Sequence, residues 1–307
     1  MNKSTILIIL AFFSTYVIWG STYLLNKIAV SEIDPMFLAG VRFTTAGILI
    51  MLIAKILGKS LKVSKNQIIN SGIASFLFLV YGNGVFVWAL KYVDSGFGAL
   101  LASTQPLFVL FLMRLIDGKK MQRRSIFGVV LGIFGMYLLV SQNEVRTSED
   151  TILGVFMIFT CVFSWSYGSV FVSKANLPKN FFVSTGFQML IAGVSSLMVS
   201  FLLGEPWSSP YHWKFSTQMS MFLLIIFGSI VAFTSFNYLL KEVSTEKVST
   251  SAYVNPVIAL LLGWYVLDEK LTIQSVIASV VLLTGVYFIN TRKRLGKNKV
   301  TTKPQKV

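Results

Sequence analysis

The sequence predicts an all-α integral membrane protein: ten transmembrane helices arranged as two inverted five-helix repeats. Three observations predict it. The 307 residues are 54% hydrophobic and only 13% charged, with a mean hydropathy of +0.71. The basic residues alternate between connections in a way that sets a topology. The second half of the chain repeats the first.

Composition comes first because it excludes most classes. Soluble domains carry about 25% charged residues. Half that number cannot cover a water-facing surface, so a soluble enzyme is excluded. The apolar content equally excludes disorder. Cys161 is the only cysteine and His212 the only histidine, so no internal disulfide and no cysteine-based metal site can form. No metalloprotease, P-loop or nucleophile-elbow motif is present. Neither a catalytic site nor a cofactor is expected.

A spanning helix needs about 20 apolar residues. Ten apolar runs meet that length, near residues 5–27, 36–54, 67–90, 96–114, 125–141, 152–173, 181–204, 217–240, 247–267 and 273–291. The first run is too long for a cleaved signal peptide and ends at Lys27 rather than at small residues. Short loops on the cytoplasmic side are enriched in Lys and Arg. With the N-terminus inside, 21 of the 27 basic residues fall in inside segments and five outside, while nine of the 12 acidic residues fall outside. Both termini are therefore expected to be cytoplasmic. The net charge of +15 is a topology signal, not a nucleic-acid footprint. The tail 292–307 reads as a basic segment near anionic lipid rather than a nucleic-acid binder. Trp207, Tyr211 and Trp213 fit an outer aromatic belt.

Self-comparison gives the repeat. Shifted by 150 residues, 91–140 aligns without gaps on 241–290, with eleven identities. They include Lys91/Lys241, Pro106/Pro256, Lys120/Lys270, Gly135/Gly285 and Tyr137/Tyr287. Upstream the frame slips, pairing Gly20-Ser21 with Gly168-Ser169 and Ala46-Gly47 with Ala192-Gly193, so that Arg42 meets Gln188. The halves are 1–145 and 146–291. Five spans is an odd number, so the second copy enters from the opposite side. Inverted repeats of this kind build alternating-access transporters; a channel built the same way remains open.

Only Pro106 and Pro256 lie within spans, at equivalent positions, each after an amide side chain, Gln105 and Asn255. Each proline removes a helical hydrogen bond and is expected to kink its helix mid-span. The freed carbonyl then marks a substrate site near the midplane, or else a packing kink. Arg42 is the one charge well inside a span. It snorkels to the outer interface, binds a carbonyl of a broken helix, or takes a substrate carboxylate. No Asp or Glu lies well inside a span, which disfavours a pump for cations. Tyr16, Trp19, Tyr23, Tyr81, Trp88, Trp165, Tyr167 and Tyr238 are aromatics on the spans expected to line a pore, and Asn83, Ser166 and Asn237 need polar partners there. Gly20 and Gly168 are plausible hinges. Span five presents a small face, Ser125, Gly128, Gly132 and Gly135, for close packing within the bundle or a dimer contact.

These residues resemble the drug/metabolite transporter superfamily and, within it, the ten-span EamA-type exporters. The resemblance covers almost the whole chain. It rests on 19-WGSTYLLNK-27, Pro35 followed by Arg42, 88-WALKYVDSGFGALLASTQPLFVLFL-112, its second copy 238-YLLKEVSTEKVSTSAYVNPVIALLLGWYVLDEKL-271, and 285-GVYFI-289. One departure is Asp117, where the family carries a Glu; Glu269 keeps it in the second copy. The resemblance implies an exporter of amino acids or related metabolites in a bacterial plasma membrane. Multidrug export and a channel-like facilitator are the alternatives. The expected site lies between the halves, lined by Trp19, Tyr81, Trp88, Gln105, Pro106, Trp165, Tyr238, Asn255 and Pro256, with Arg42 above it selecting carboxylates. The expected partners are a small molecule and the bilayer, in a monomer or homodimer.

Overall fold

The computed structural model describes residues 3–118, 123–141 and 149–290. The tail 292–307, Arg146 and Lys120 lie outside the described residues. Among those described, every regular element is helical. In chain order they are α1 (Thr5–Val30), α2 (Pro35–Ile56), α3 (Lys65–Ala89) and α4 (Ser95–Ile116); α5 (Arg123–Val140); α6 (Asp150–Lys174), α7 (Phe181–Leu202) and α8 (Phe215–Glu242); α9 (Asn255–Leu267) and α10 (Ile273–Asn290). Seven of them, all but α5, α9 and α10, are long and apolar enough to cross a membrane. Phe13, Ile56, Phe201, Leu202 and Phe215 project large apolar side chains outward, as a lipid-facing surface requires.

Local chemistry sets the helix ends. Pro35 opens α2, where its missing N–H costs nothing. Ser64 and Gln67 close a capping box on α3. Asn180 Oδ1 accepts from Phe182 N and Val183 N at the start of α7. After α2 and α7 the chain turns through left-handed Gly58 and Gly204, a conformation that favours glycine.

The prolines depart from expectation. Neither sits in a kinked mid-helix. Each lies in the first turn of a fresh helical segment: Ser95–Ala102 ends, and Gln105–Asp117 begins with Pro106. Likewise Thr245–Val248 and a 3₁₀ turn, Ser249–Tyr253, precede α9 with Pro256. Pro tolerates a first turn better than an interior, so the helix breaks upstream of it. A second irregularity is π-helical winding at Ser14–Ile18, Phe76–Val85 and Leu224–Phe233, within α1, α3 and α8.

Two antiparallel pairs carry the most extensive packing, α2 with α7 and α5 with α10. Glycines set both crossings. A Cβ on Gly40 would meet Leu197, one on Gly47 Leu190, one on Gly186 Met51, and one on Gly193 would strike the Thr44 backbone. Gly135 lies against Leu282, and Gly285 against Gly128 and Gly132. The small face of span five is thus used within the chain, against α10.

One end of the bundle, called proximal, holds the start of α1 and the α2–α3 and α6–α7 connections. The distal end holds the α1–α2, α3–α4, α7–α8 and α9–α10 connections. One buried cluster, around Val30, Phe37, Leu90 and Leu101, fills the distal side. Another, around Ile50, Phe78, Phe236 and Leu240, fills the proximal side. A lysine ties helix ends at each. Lys27 Nζ donates to Leu90 O (2.6 Å) and Val93 O (2.7 Å), and Lys241 Nζ to Val172 O (2.8 Å) and Ala175 O (3.0 Å). Both satisfy carbonyls that a helix end leaves unbonded. Trp213 corrects the aromatic-belt expectation: it is buried, its Nε1 donating to Ser208 Oγ at 2.7 Å. Tyr211 is exposed, and Trp207 stacks on Phe37.

Candidate functional site

Between the two clusters lies a cavity of about 110 Å³. α1 contributes one stripe at helical spacing, Trp19, Thr22, Tyr23 and Asn26. α3 and α8 contribute through their π-helical stretches, with Leu79, Gly82 and Asn83 from one and Gly228, Ser229 and Phe233 from the other. π-helical winding leaves backbone groups less regularly bonded and recurs at functional sites. The breaks before the two prolines bring Ser103 and Gln105, and Ser251 and Asn255, to the same space.

Among the described residues, Arg42 is the only charged side chain lining this cavity. It does not snorkel: 3% of it is exposed. Its Nε donates to Ser229 Oγ at 2.8 Å and its Nη1 to Asn26 Oδ1 at 3.2 Å. Its Cζ lies 4.9 Å from the centroid of the Phe43 ring. These described partners are neutral. The guanidinium is therefore oriented without being neutralised, with donor capacity left toward the cavity. Its counterpart in the second half behaves differently. Gln188 is buried away from the cavity, and its Nε2 donates to Ser184 Oγ (3.2 Å) and Asn237 Oδ1 (3.4 Å).

The aromatic wall is built from both halves. Trp19 and Trp165 meet edge to face at 5.6 Å, and Phe78 and Phe236 complete the proximal floor. Trp19 Nε1 donates to Gly228 O at 3.2 Å, joining α1 to α8. A Cβ at Gly228 would stand 3.1 Å from Arg42 Nη2 and 3.0 Å from Thr22 Cγ2. Gly228→Val is therefore expected to displace the guanidinium. It should lower substrate flux by about tenfold or more, roughly 1.4 kcal/mol, in protein that purifies normally; unchanged flux would separate Arg42 from transport.

The two amides before the prolines diverge. With its nitrogen turned to the acceptors, Asn255 Nδ2 donates to Tyr16 O (2.7 Å), Thr15 O (3.1 Å) and Ser251 O (3.3 Å), bracing the π-helical turn of α1. Gln105 lines the cavity, and its backbone carbonyl accepts from Ser166 Oγ at 3.3 Å.

Of the residues expected at the site, Trp19, Arg42, Gln105, Trp165, Asn255 and Pro256 line the cavity. The other four do not. Tyr81 lines a separate apolar cleft with Phe108, Phe163 and Tyr167. Trp88 is half-buried in the last turn of α3. Tyr238 packs edge-on to Phe181. Pro106 is buried in the first turn of its segment, behind Gln105. The proposed hinge glycines are close-packing positions, Gly20 against Ile258 and Gly168 against Phe78. Sequence reasoning missed Asn26 and Ser229. Asn26 shares a helical stripe with Trp19 and Tyr23, a signal that was available; Ser229 is 187 residues from Arg42 and had none.

The EamA-like transporter family matches residues 6–141 and again 152–291. The uncharacterized inner membrane transporter YedA of Escherichia coli K12 is 33% identical over 295 residues, covering 96% of this chain and 94% of its own. The uncharacterized transporter YoaV of Bacillus subtilis is 24% identical, covering 92% and 96%. A probable amino-acid metabolite efflux pump of E. coli K12 is 23% identical, covering 88% and 90%. One crystallised chain superposes with a TM-score of 0.69 at 19% identity, covering 94% of this chain and 96% of its own, a likeness of fold.

Proposed function

The chain belongs to the EamA-like transporter family, and from that premise we propose that it exports a small carboxylate-bearing metabolite, an amino acid or a related compound, across a bacterial inner membrane by alternating access. The observation that carries this reading is Arg42: a buried guanidinium lining the central cavity, oriented by Ser229 and Asn26 and faced by no carboxylate among the described lining residues. Burying such a charge costs roughly 2.5–3.5 kcal/mol on insertion scales, a cost that an anionic ligand offsets. The aromatic wall suits the apolar remainder of an amphipathic solute. A cationic drug would meet like charge. The relative named as an amino-acid metabolite efflux pump agrees in class.

The architecture in this reading is ten spans in two inverted halves, 1–145 and 146–291, with both termini cytoplasmic. Support comes from contacts that recur when the halves exchange roles. Gly40 on Leu197 is answered by Gly186 on Met51, and Gly135 on Leu282 by Gly285 on Gly132. The π-helical stretches 76–85 and 224–233 stand 148 residues apart, as do Gly20 and Gly168. A pseudo-two-fold axis in the membrane plane produces such exchanges.

The test is counterflow in proteoliposomes with labelled amino acids, their amides and their decarboxylated amines. Saturable uptake, stimulated by unlabelled acid on the other side, is expected for the acids alone. Movement of the amines but not the acids would sink the carboxylate reading, and non-saturable flux would favour a channel.

A further inference from the structure

Three loop carboxylates at the distal end each accept from backbone amides at, or just before, the start of a helix in the other half. Glu205, in the α7–α8 connection, accepts from Met36 N (3.2 Å) and Phe37 N (2.7 Å) at the start of α2. Glu269, in the α9–α10 connection, accepts from Ser95 N (2.8 Å) and Gly96 N (3.1 Å) at the start of α4. Glu32, in the α1–α2 turn, accepts from Lys214 N just before α8, 3.2 Å from each oxygen. Trp207, two residues past Glu205, stacks on Phe37 at 5.4 Å.

A helix start has unbonded N–H groups and the positive end of the helix dipole, so a carboxylate there makes charge-assisted bonds. Such caps are ordinarily local. Here the local candidates do not serve: Asp34 and Asp94 hold the N-cap positions of α2 and α4 without a side-chain cap bond. The caps come instead from the other half; that of Glu205 lies at one end of the close-packed α2–α7 pair, and that of Glu269 joins the end of α9 to the start of α4, so it persists only while those two helices stay together at this end.

The proximal end is built otherwise. Ser64 and Asn180 cap their own helices. Two amides join the halves there, Gln67 Nε2 donating to Leu177 O (3.4 Å) and Asn70 Nδ2 to Asn176 O (3.0 Å). The position that answers Glu205 in the first half, 146 residues earlier, is Lys59. An excess of lysine in cytoplasmic connections is what topology requires.

We infer that Glu205 and Glu269 form a latch between the halves that holds the distal end of the pathway shut, and that its release sets how often that end opens. Its effect on flux rests on the alternating-access reading above. A state held by charge-assisted bonds on one side is favoured by whatever those bonds contribute to it alone.

The experiment uses the full chain with Cys161→Ser and spin labels in pairs. Ser31 and Tyr211 report the distal end; Lys62 and Lys179 report the proximal end. In the double variant Glu205→Gln, Glu269→Gln, the long-distance component at Ser31/Tyr211 is expected to rise about threefold or more, with no lengthening at Lys62/Lys179. Distance distributions identical to the parent would overturn the latch. If that variant purifies poorly, Glu205→Asp and Glu269→Asp keep the charge and shorten the reach; each should shift the same pair less far, and no shift in either overturns the latch. Flux separates the two readings. Labels that move in a protein with no acid flux sink the transport reading alone. Acid flux with unmoved labels sinks the latch alone.

Discussion

Arg42→Gln is expected to reduce transport of carboxylate substrates by on the order of 100-fold while leaving the protein at least as stable as the parent. The two effects have separate causes. Truncating one partner of a desolvated charged pair costs about 2–5 kcal/mol, and each 1.4 kcal/mol is about tenfold. Against that, glutamine removes a charge whose burial costs roughly 2.5–3.5 kcal/mol. Only neutral bonds, to Ser229 and Asn26, are lost with it. Arg42→Lys should fall between, because an ammonium keeps the charge but not the planar fork. Thermal unfolding in detergent and counterflow in proteoliposomes, measured on the same preparations, decide the matter. If flux and stability fall together, the guanidinium is a strut between α2 and α8.

The second large effect is on folding. Gly193→Leu places a branched side chain where a Cβ alone would collide with the Thr44 backbone. Backbone cannot rotate away as a side chain can, and the α2–α7 pair is one of the two most extensive in the bundle. Small residues let helices approach closely in lipid, where packing replaces the hydrophobic effect. Overpacking typically costs about 1–3 kcal/mol and more where nothing yields. The variant is expected to lose its monodisperse peak on gel filtration. Val194→Leu, one position along on a half-exposed face, should behave as the parent. A well-folded Gly193→Leu would show that α2 and α7 separate more readily than the glycine register implies.

Much of this was legible because it depends on periodicity and on repetition. Ala46-Gly47 and Ala192-Gly193 align in the sequence, and Gly47 and Gly193 do lie in the α2–α7 crossing. Gln105 and Asn255 align through their prolines, and both reach the cavity. What sequence could not supply was helix rotation. α3 winds as a π-helix over Phe76–Val85, and such winding turns less per residue than an α-helix. The face that positions 81 and 88 would share with the pore is therefore turned elsewhere, and Gly82 and Asn83 face the cavity instead. Long-range partners were illegible for another reason. Nothing in the local pattern of α8 distinguishes Ser229 from any other serine on an apolar helix. Trp213 read as an interface aromatic because its neighbours are polar, yet it is buried where the α7–α8 connection folds back on the bundle.

The inequality of Arg42 and Gln188 has a kinetic consequence. One guanidinium lines the cavity, whereas its counterpart amide is buried in a network with Ser184 and Asn237. In the alternating-access reading, a solute arriving from the two sides of the membrane meets different chemistry first, and half-saturation is expected at different concentrations in the two directions. Unpowered exchange nevertheless has to satisfy detailed balance. The ratio of maximal velocity to half-saturation constant must be equal both ways, so the side that binds tightly is also the side that saturates at the lower velocity. Efflux and influx curves would then differ in shape while sharing their initial slope.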